Sequence, residues 1–189
     1  MNITRRDFLK LAGTLGILFS LGKVCATNEK ILVAYFSRTG NTEIVAEIIA
    51  QKIGGDLFKI CSEKDYPADY DECKIIASRE KATKARPKFI GGVNISSYDL
   101  IFMGYPIWYG DAPQIVYTFL EYYNFGGKKI VPFCTSGSSG LSGTDQNITL
   151  TCPTAKVLQG FSIPGKIAKN DRSKAESIVM DNLKRLELI

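Results

Sequence analysis

From Lys30 to the C-terminus, apolar runs alternate with stretches whose apolar residues recur at helical spacing. No other feature restricts the fold as strongly. Ile31-Leu32-Val33-Ala34-Tyr35-Phe36 is continuous rather than alternating, the pattern of a strand covered on both faces. Ile44, Val45, Ile48, Ile49 and Ile53 then predict a helix, and Gly54-Gly55 ends it. Asp56–Cys61 reads as a more polar edge strand, and Tyr70–Ala82 as a weakly patterned helix with Pro87 beyond it. Asp99–Tyr105 is a second buried run, followed by a helical stripe at Ile115, Val116, Phe119, Leu120 and Tyr123 that Gly126-Gly127 stops. Ile130–Cys134 and Val157–Ile163 predict two further strands; Ala175, Ile178, Val179, Leu183 and Leu186 predict a closing helix. Such alternation implies an α/β fold, a three-layer α/β/α sandwich around a five-stranded parallel sheet.

Composition removes several function classes. The chain has no histidine, which excludes Ser-His-Asp and Cys-His hydrolases and any His-ligated metal. No metal site and no catalytic side chain is expected. With 45% hydrophobic and 23% charged residues the chain is neither disordered nor polytopic. The net charge of +5 does not indicate nucleic acid. Four of the 24 basic residues but only one of the 19 acidic ones lie in Met1–Ala26, so the other 163 residues carry only +2. The basic run Arg79–Lys88 reads as a solvated helix end and loop.

Met1–Ala26 has the layout of an export signal. Thr4-Arg5-Arg6-Asp7-Phe8-Leu9-Lys10 precedes an uncharged stretch, Leu11–Gly22, and Val24-Cys25-Ala26 is a small-residue cleavage pattern. The apolar stretch is shorter than the ~20 residues a spanning helix needs. The segment resembles a twin-arginine signal, which implies export of an already folded protein, with no stable membrane span after cleavage. Cys25 admits a lipoprotein, but Val24 sits where a small residue should precede the lipidated cysteine. Residues 27–189 then form the mature domain, periplasmic or at the cell surface. Cleavage after Ala26 is expected. N-terminal sequencing of exported protein that begins well before Thr27 would contradict it.

Ligands of open parallel sheets bind beyond the carboxyl ends of the strands, and three such ends carry unusual loops. Ser37-Arg38-Thr39-Gly40-Asn41-Thr42 puts hydroxyls, an amide and a glycine at a helix N-terminus, where free N–H groups and the helix dipole favour an anion. Simple capping needs one such residue, and this loop has four. Tyr105-Pro106-Ile107-Trp108-Tyr109-Gly110 places the single tryptophan beside a tyrosine at the third strand end, either against a planar ligand or folded back into the core. Thr135-Ser136-Gly137-Ser138-Ser139-Gly140 follows the fourth strand with donors, acceptors and room for close approach.

Taken together, these residues resemble the flavodoxin family. Ser37–Thr42 matches the family's (Ser/Thr)-x-Thr-Gly-x-Thr phosphate loop at every fixed position. Gly104–Gly110 and Pro132–Gly137 resemble the G-Y-P-I-W-(W/Y)-G and P-F-x-T-S-G signatures of a bacterial branch, which Arg86-Pro87, Tyr98-Asp99 and Gly160 also fit. The resemblance implies strand order 2-1-3-4-5 and FMN as cofactor. It assigns the phosphate to Ser37, Thr39, Asn41 and Thr42 with the backbone of Arg38 and Gly40. It assigns the ring to Pro106, Ile107, Trp108, Tyr109 and Gly110, and the ring's polar edge to Thr135, Ser136, Gly137, Ser138, Ser139 and Gly140. It further implies an electron carrier working with redox partner proteins, or alternatively an FMN-dependent NAD(P)H quinone, nitro or azo reductase. Family carriers are strongly acidic, and this mature chain is slightly basic, so a different partner is expected. Leu141–Pro153 lacks a regular stripe, so the usual fourth helix is expected to be short or distorted.

Gly160–Lys166 has the spacing of a nucleotide phosphate loop, but Ile167 replaces the required Ser/Thr and Pro164 removes an N–H. The cysteines contain no C-x-x-C pair. Cys134 reads as a small core residue, and Cys61–Cys73 as the most local pair available for oxidation.

Overall fold

The computed structural model describes residues 29–189, so the expected export signal lies outside the described residues. The chain runs β1 (Ile31–Tyr35), α1 (Asn41–Ile53), β2 (Asp56–Lys59), β3 (Cys61–Ser62), α2 (Tyr70–Thr83), β4 (Phe89–Ile90) and β5 (Leu100–Pro106). It continues through α3 (Gln114–Tyr122), β6 (Lys129–Ser136), α4 (Thr144–Thr151), β7 (Lys156–Val157), β8 (Phe161–Pro164), α5 (Gly165–Asn170) and α6 (Arg172–Arg185). The main sheet is parallel with order β2-β1-β5-β6-β7, and β8 also pairs with β6. Counting β7 and β8 as one interrupted strand, this is the expected 2-1-3-4-5.

The continuous apolar runs are explained by two cores. Along β1, Leu32 and Ala34 join Ile101, Met103, Tyr105 and Ile130 on the face covered by α3 and α4. Val33 and Tyr35 join Phe102, Val131 and Phe133 on the face covered by α1 and α6. Strand side chains alternate between faces, so a strand with helices on both sides needs apolar residues at every position. Ile115, Val116, Phe119 and Leu120 of α3 are buried, and each such side chain contributes about 1.5–3 kcal/mol. Gly54 ends α1 in the left-handed conformation at φ 68°. Among the described residues no helix is long and apolar enough to cross a membrane.

Four expectations need correction. Val157–Ile163 is not one strand, because Pro132 in β6 has no N–H to donate to it. Ile130 faces Val157 and Phe133 faces Phe161, so three steps on β6 match four on its partner and the pairing breaks at Leu158–Gly160. Asp56–Cys61 likewise divides: β3 leaves the sheet and pairs antiparallel with β4, a ribbon the periodicity did not indicate. The third helix stops at Tyr122, and Gly127 turns the chain at φ 74° only afterwards. Cys61 and Cys73 are free cysteines on β3 and α2 rather than a bridged pair. The fourth helix is indeed short, with eight residues and only Thr144 and Ile148 buried.

Candidate cofactor site

Tyr35 faces Gly104, Gly104 faces Phe133 and Phe133 faces Phe161, so the carboxyl ends of β1, β5, β6 and β8 share one edge. The loops that follow those ends bound a cleft of about 480 Å³, within the size range of small-ligand sites. Ser37, Arg38, Thr39, Asn41, Thr42, Pro106, Ile107, Trp108, Tyr109, Thr135, Ser136 and Gly137 line it.

The first wall is the N-terminus of α1. Gly40 occupies the cap position at φ 88°, ψ −17°, a left-handed conformation that glycine adopts without a Cβ penalty. No side chain caps the helix, so neither Thr39 nor Asn41 plays the simple capping role. The N–H groups of Asn41, Thr42 and Glu43 have no partner among the described residues, whereas Ile44 N–H already donates to Gly40 O at 3.0 Å. Open N–H groups at the positive end of a helix dipole constitute an anion cradle. Thr42 and Thr135, 1% and 4% exposed, share a hydrogen bond of 2.8 Å between their hydroxyls, which ties the cradle to the end of β6.

The second wall is aromatic. Trp108 and Asp111 exchange backbone hydrogen bonds of 2.8 and 3.0 Å across a tight turn with Tyr109 at φ 52° and Gly110 at φ 74°. Two positive φ values in succession define the hairpin-type turn that favours glycine second. Gly110 therefore shapes this loop without lining the cleft. Trp108 packs edge-on against Phe36 at 5.5 Å and Tyr66 at 5.1 Å, which fixes its ring while leaving it on the cleft wall. Tyr109 is 48% exposed and donates to Lys74 O at 3.2 Å.

Ser138, Ser139 and Gly140 do not line the cleft. They fold back towards α4, where Ser142 Oγ donates to Ser139 O and Cys134 Sγ to Gly140 O. Of that loop, Thr135, Ser136 and Gly137 line the cleft.

Six lining residues were not expected: Tyr70, Cys73, Lys74 and Ala77, which no motif announced, and Gly165 and Lys166, which sat in the rejected phosphate-loop pattern. The first four recur at i, i+3, i+4 and i+7, one face of α2, a stripe that the sequence contained but that pointed to no ligand. Arg38 donates to Pro67 O at 2.8 Å and Ala68 O at 3.1 Å, holding the approach to α2 against the cradle. Lys81 donates to Tyr109 O at 2.5 Å, which ties the last turn of α2 to the aromatic loop.

Burial disfavours thiolates here. Burial pushes the Cys73 thiol up against the opposing charge of Arg38, and burial pushes Cys134 up to about 12. Burial and the Glu43 carboxylate raise the Tyr35 phenol well above its usual value. Burial alone would raise Glu43 too, but hydrogen bonds from Lys59 and Tyr35 outweigh it and hold the carboxyl below its usual range.

The doubly wound sheet, the uncapped helix N-terminus and the aromatic wall define a class: α/β proteins that take a phosphorylated planar ligand at the strand ends. Residues 30–177 match the flavodoxin family, and the chain belongs to it. A protein from Bacteroides eggerthii described as a flavoprotein is 34% identical over 85% of this chain and 99% of its own, with a TM-score of 0.73. A second, from Bacteroides uniformis, is 32% identical over 80% of this chain and 98% of its own, with a TM-score of 0.70. A Lactobacillus acidophilus flavoprotein solved with FMN is 24% identical over 75% and 97%, at TM-score 0.62, a likeness of fold. No curated protein matches the chain.

Proposed function

We propose that the protein is an FMN-dependent electron-transfer protein that works outside the cytoplasm with a redox partner protein. The observation that carries the reading is one cleft joining a hydroxyl-rich helix N-terminus with open N–H groups to a wall formed by Trp108 and Tyr109. Membership of the flavodoxin family and the Bacteroides flavoproteins support FMN as the ligand. The twin-arginine-like run at Thr4–Lys10 supports export.

FMN, when bound, supplies reversible one- and two-electron chemistry, and the chain positions it. The α1 N-terminus with Ser37, Thr39 and Asn41 would hold the phosphate. Trp108 and Tyr109 would hold the ring, with Thr135–Gly137 on its polar edge. The raised thiol of Cys73 stays protonated at neutral pH, so the cleft presents a neutral apolar side chain there rather than a nucleophile.

The test is reconstitution followed by spectroelectrochemical titration. The purified protein should bind FMN at one per chain, reduce in two resolved one-electron steps and fail to oxidise NAD(P)H unaided. A single two-electron step with NAD(P)H turnover would replace the carrier reading with the reductase one. A chain that takes up no FMN would overturn both.

A further inference from the structure

We propose that Lys166 is a phosphate-contacting residue, whose ammonium adds a full positive charge beside the Ser37–Thr42 cradle. The inference rests on the FMN reading above. It concerns a residue outside the phosphate-loop motif.

β8 passes directly into α5 at Pro164-Gly165, and that junction lies against the cradle: a Cβ on Gly165 would stand 3.1 Å from Asn41 Nδ2. Glycine at 165 thus permits the close approach that brings the next residue, Lys166, onto the cleft wall with Ser37, Thr39 and Asn41. Three cations line this cleft: Arg38, Lys74 and Lys166. Arg38 donates to the Pro67 and Ala68 carbonyls. Lys74 pairs with Asp71 at 3.5 Å and lies 5.7 Å from the centre of the Tyr70 ring. Among the described residues neither Arg38 nor Lys166 forms an ion pair, but the Arg38 guanidinium is held by those carbonyls, whereas no side-chain hydrogen bond holds Lys166.

A cation here would complement the cradle electrostatically. A phosphate monoester carries about −1.5 to −2 at neutral pH, while a helix N-terminus offers the equivalent of only about +0.5. Hydroxyl and amide donors orient the oxygens without neutralising them. The long flexible stem of lysine lets its ammonium reach an anion from the cleft margin while remaining partly solvated, so its effect is salt-dependent.

The experiment compares FMN with riboflavin, which lacks the phosphate, in wild type, Lys166→Gln and Lys166→Arg by flavin-fluorescence titration at low and high salt. Lys166→Gln is expected to raise the Kd for FMN about tenfold at low salt, to lose most of that difference at high salt, and to leave riboflavin unchanged. Lys166→Arg should restore FMN binding. Wild type that binds FMN with the same Kd as Lys166→Gln at low salt would overturn the inference and leave the cofactor reading standing. Equal weakening for FMN and riboflavin would also overturn it, by showing a structural effect. Wild type that binds neither flavin would overturn the cofactor reading and this inference with it.

Discussion

Alanine at Gly104 is expected to lower the stability of the fold by about 3 kcal/mol, at the upper end of overpacking costs. Gly104 lies in the middle of β5, opposite Phe133 on β6. An added Cβ would stand 2.7 Å from both Phe133 Cε atoms and closer still to Cζ. The ring cannot swing away, because Phe133 is fully buried and stacked on Phe161 at 5.9 Å. Relief must come from the strands moving apart, and parallel ladders on both sides of β5 resist that. Urea unfolding of Gly104→Ala should show a large drop in midpoint with little change in slope. Phe133→Leu in the same chain should recover much of the loss, since it removes the atoms that clash. A midpoint equal to that of wild type would mean the close approach is not real.

The second large effect is on binding. Thr39→Ala combined with Thr42→Ala should weaken FMN binding by about a hundredfold or more, since hydrogen bonds to charged groups contribute about 1.5–3 kcal/mol each. The two positions act differently. Thr39 is exposed at the cradle, so its loss should alter affinity and leave the urea midpoint alone. Thr42 is buried with its hydroxyl on Thr135, so its loss also frees the end of β6. Measuring Kd and midpoint for both single variants separates contact from support. Unchanged affinity in the double variant would refute the phosphate assignment.

The parts of the molecule that were readable in the sequence are those where one local rule acts alone. β1, α1 and α3 announce themselves because burial on two faces or one stripe leaves a period in the residues. The cradle is readable because Ser37–Thr42 is contiguous. What stayed hidden depends on residues distant in sequence. The break between β7 and β8 is caused by Pro132, some thirty residues earlier on another strand. The cleft face of α2 became visible only when Arg38, Lys81 and Tyr109 tied that helix beside the aromatic loop. Ser138–Gly140 lie off the cleft wall in the turn before α4, where glycine and serine are favoured for backbone reasons as well. Lys166 sat inside a false phosphate-loop pattern. That pattern fails on Pro164 and Ile167, and the lysine comes to the cleft wall through the β8–α5 junction instead.

The interrupted fifth strand also bears on how molecules of this protein meet one another. A long, flat outer strand would offer unpaired backbone groups to a neighbouring chain and invite fibre-like stacking. Here that margin is divided into Lys156–Val157 and Phe161–Pro164, with a charged residue at one end and a proline at the other. The opposite margin, Asp56–Lys59, is four residues long and bounded by an acid and a base. Among the described residues neither margin offers a long, uninterrupted apolar edge to a neighbouring chain.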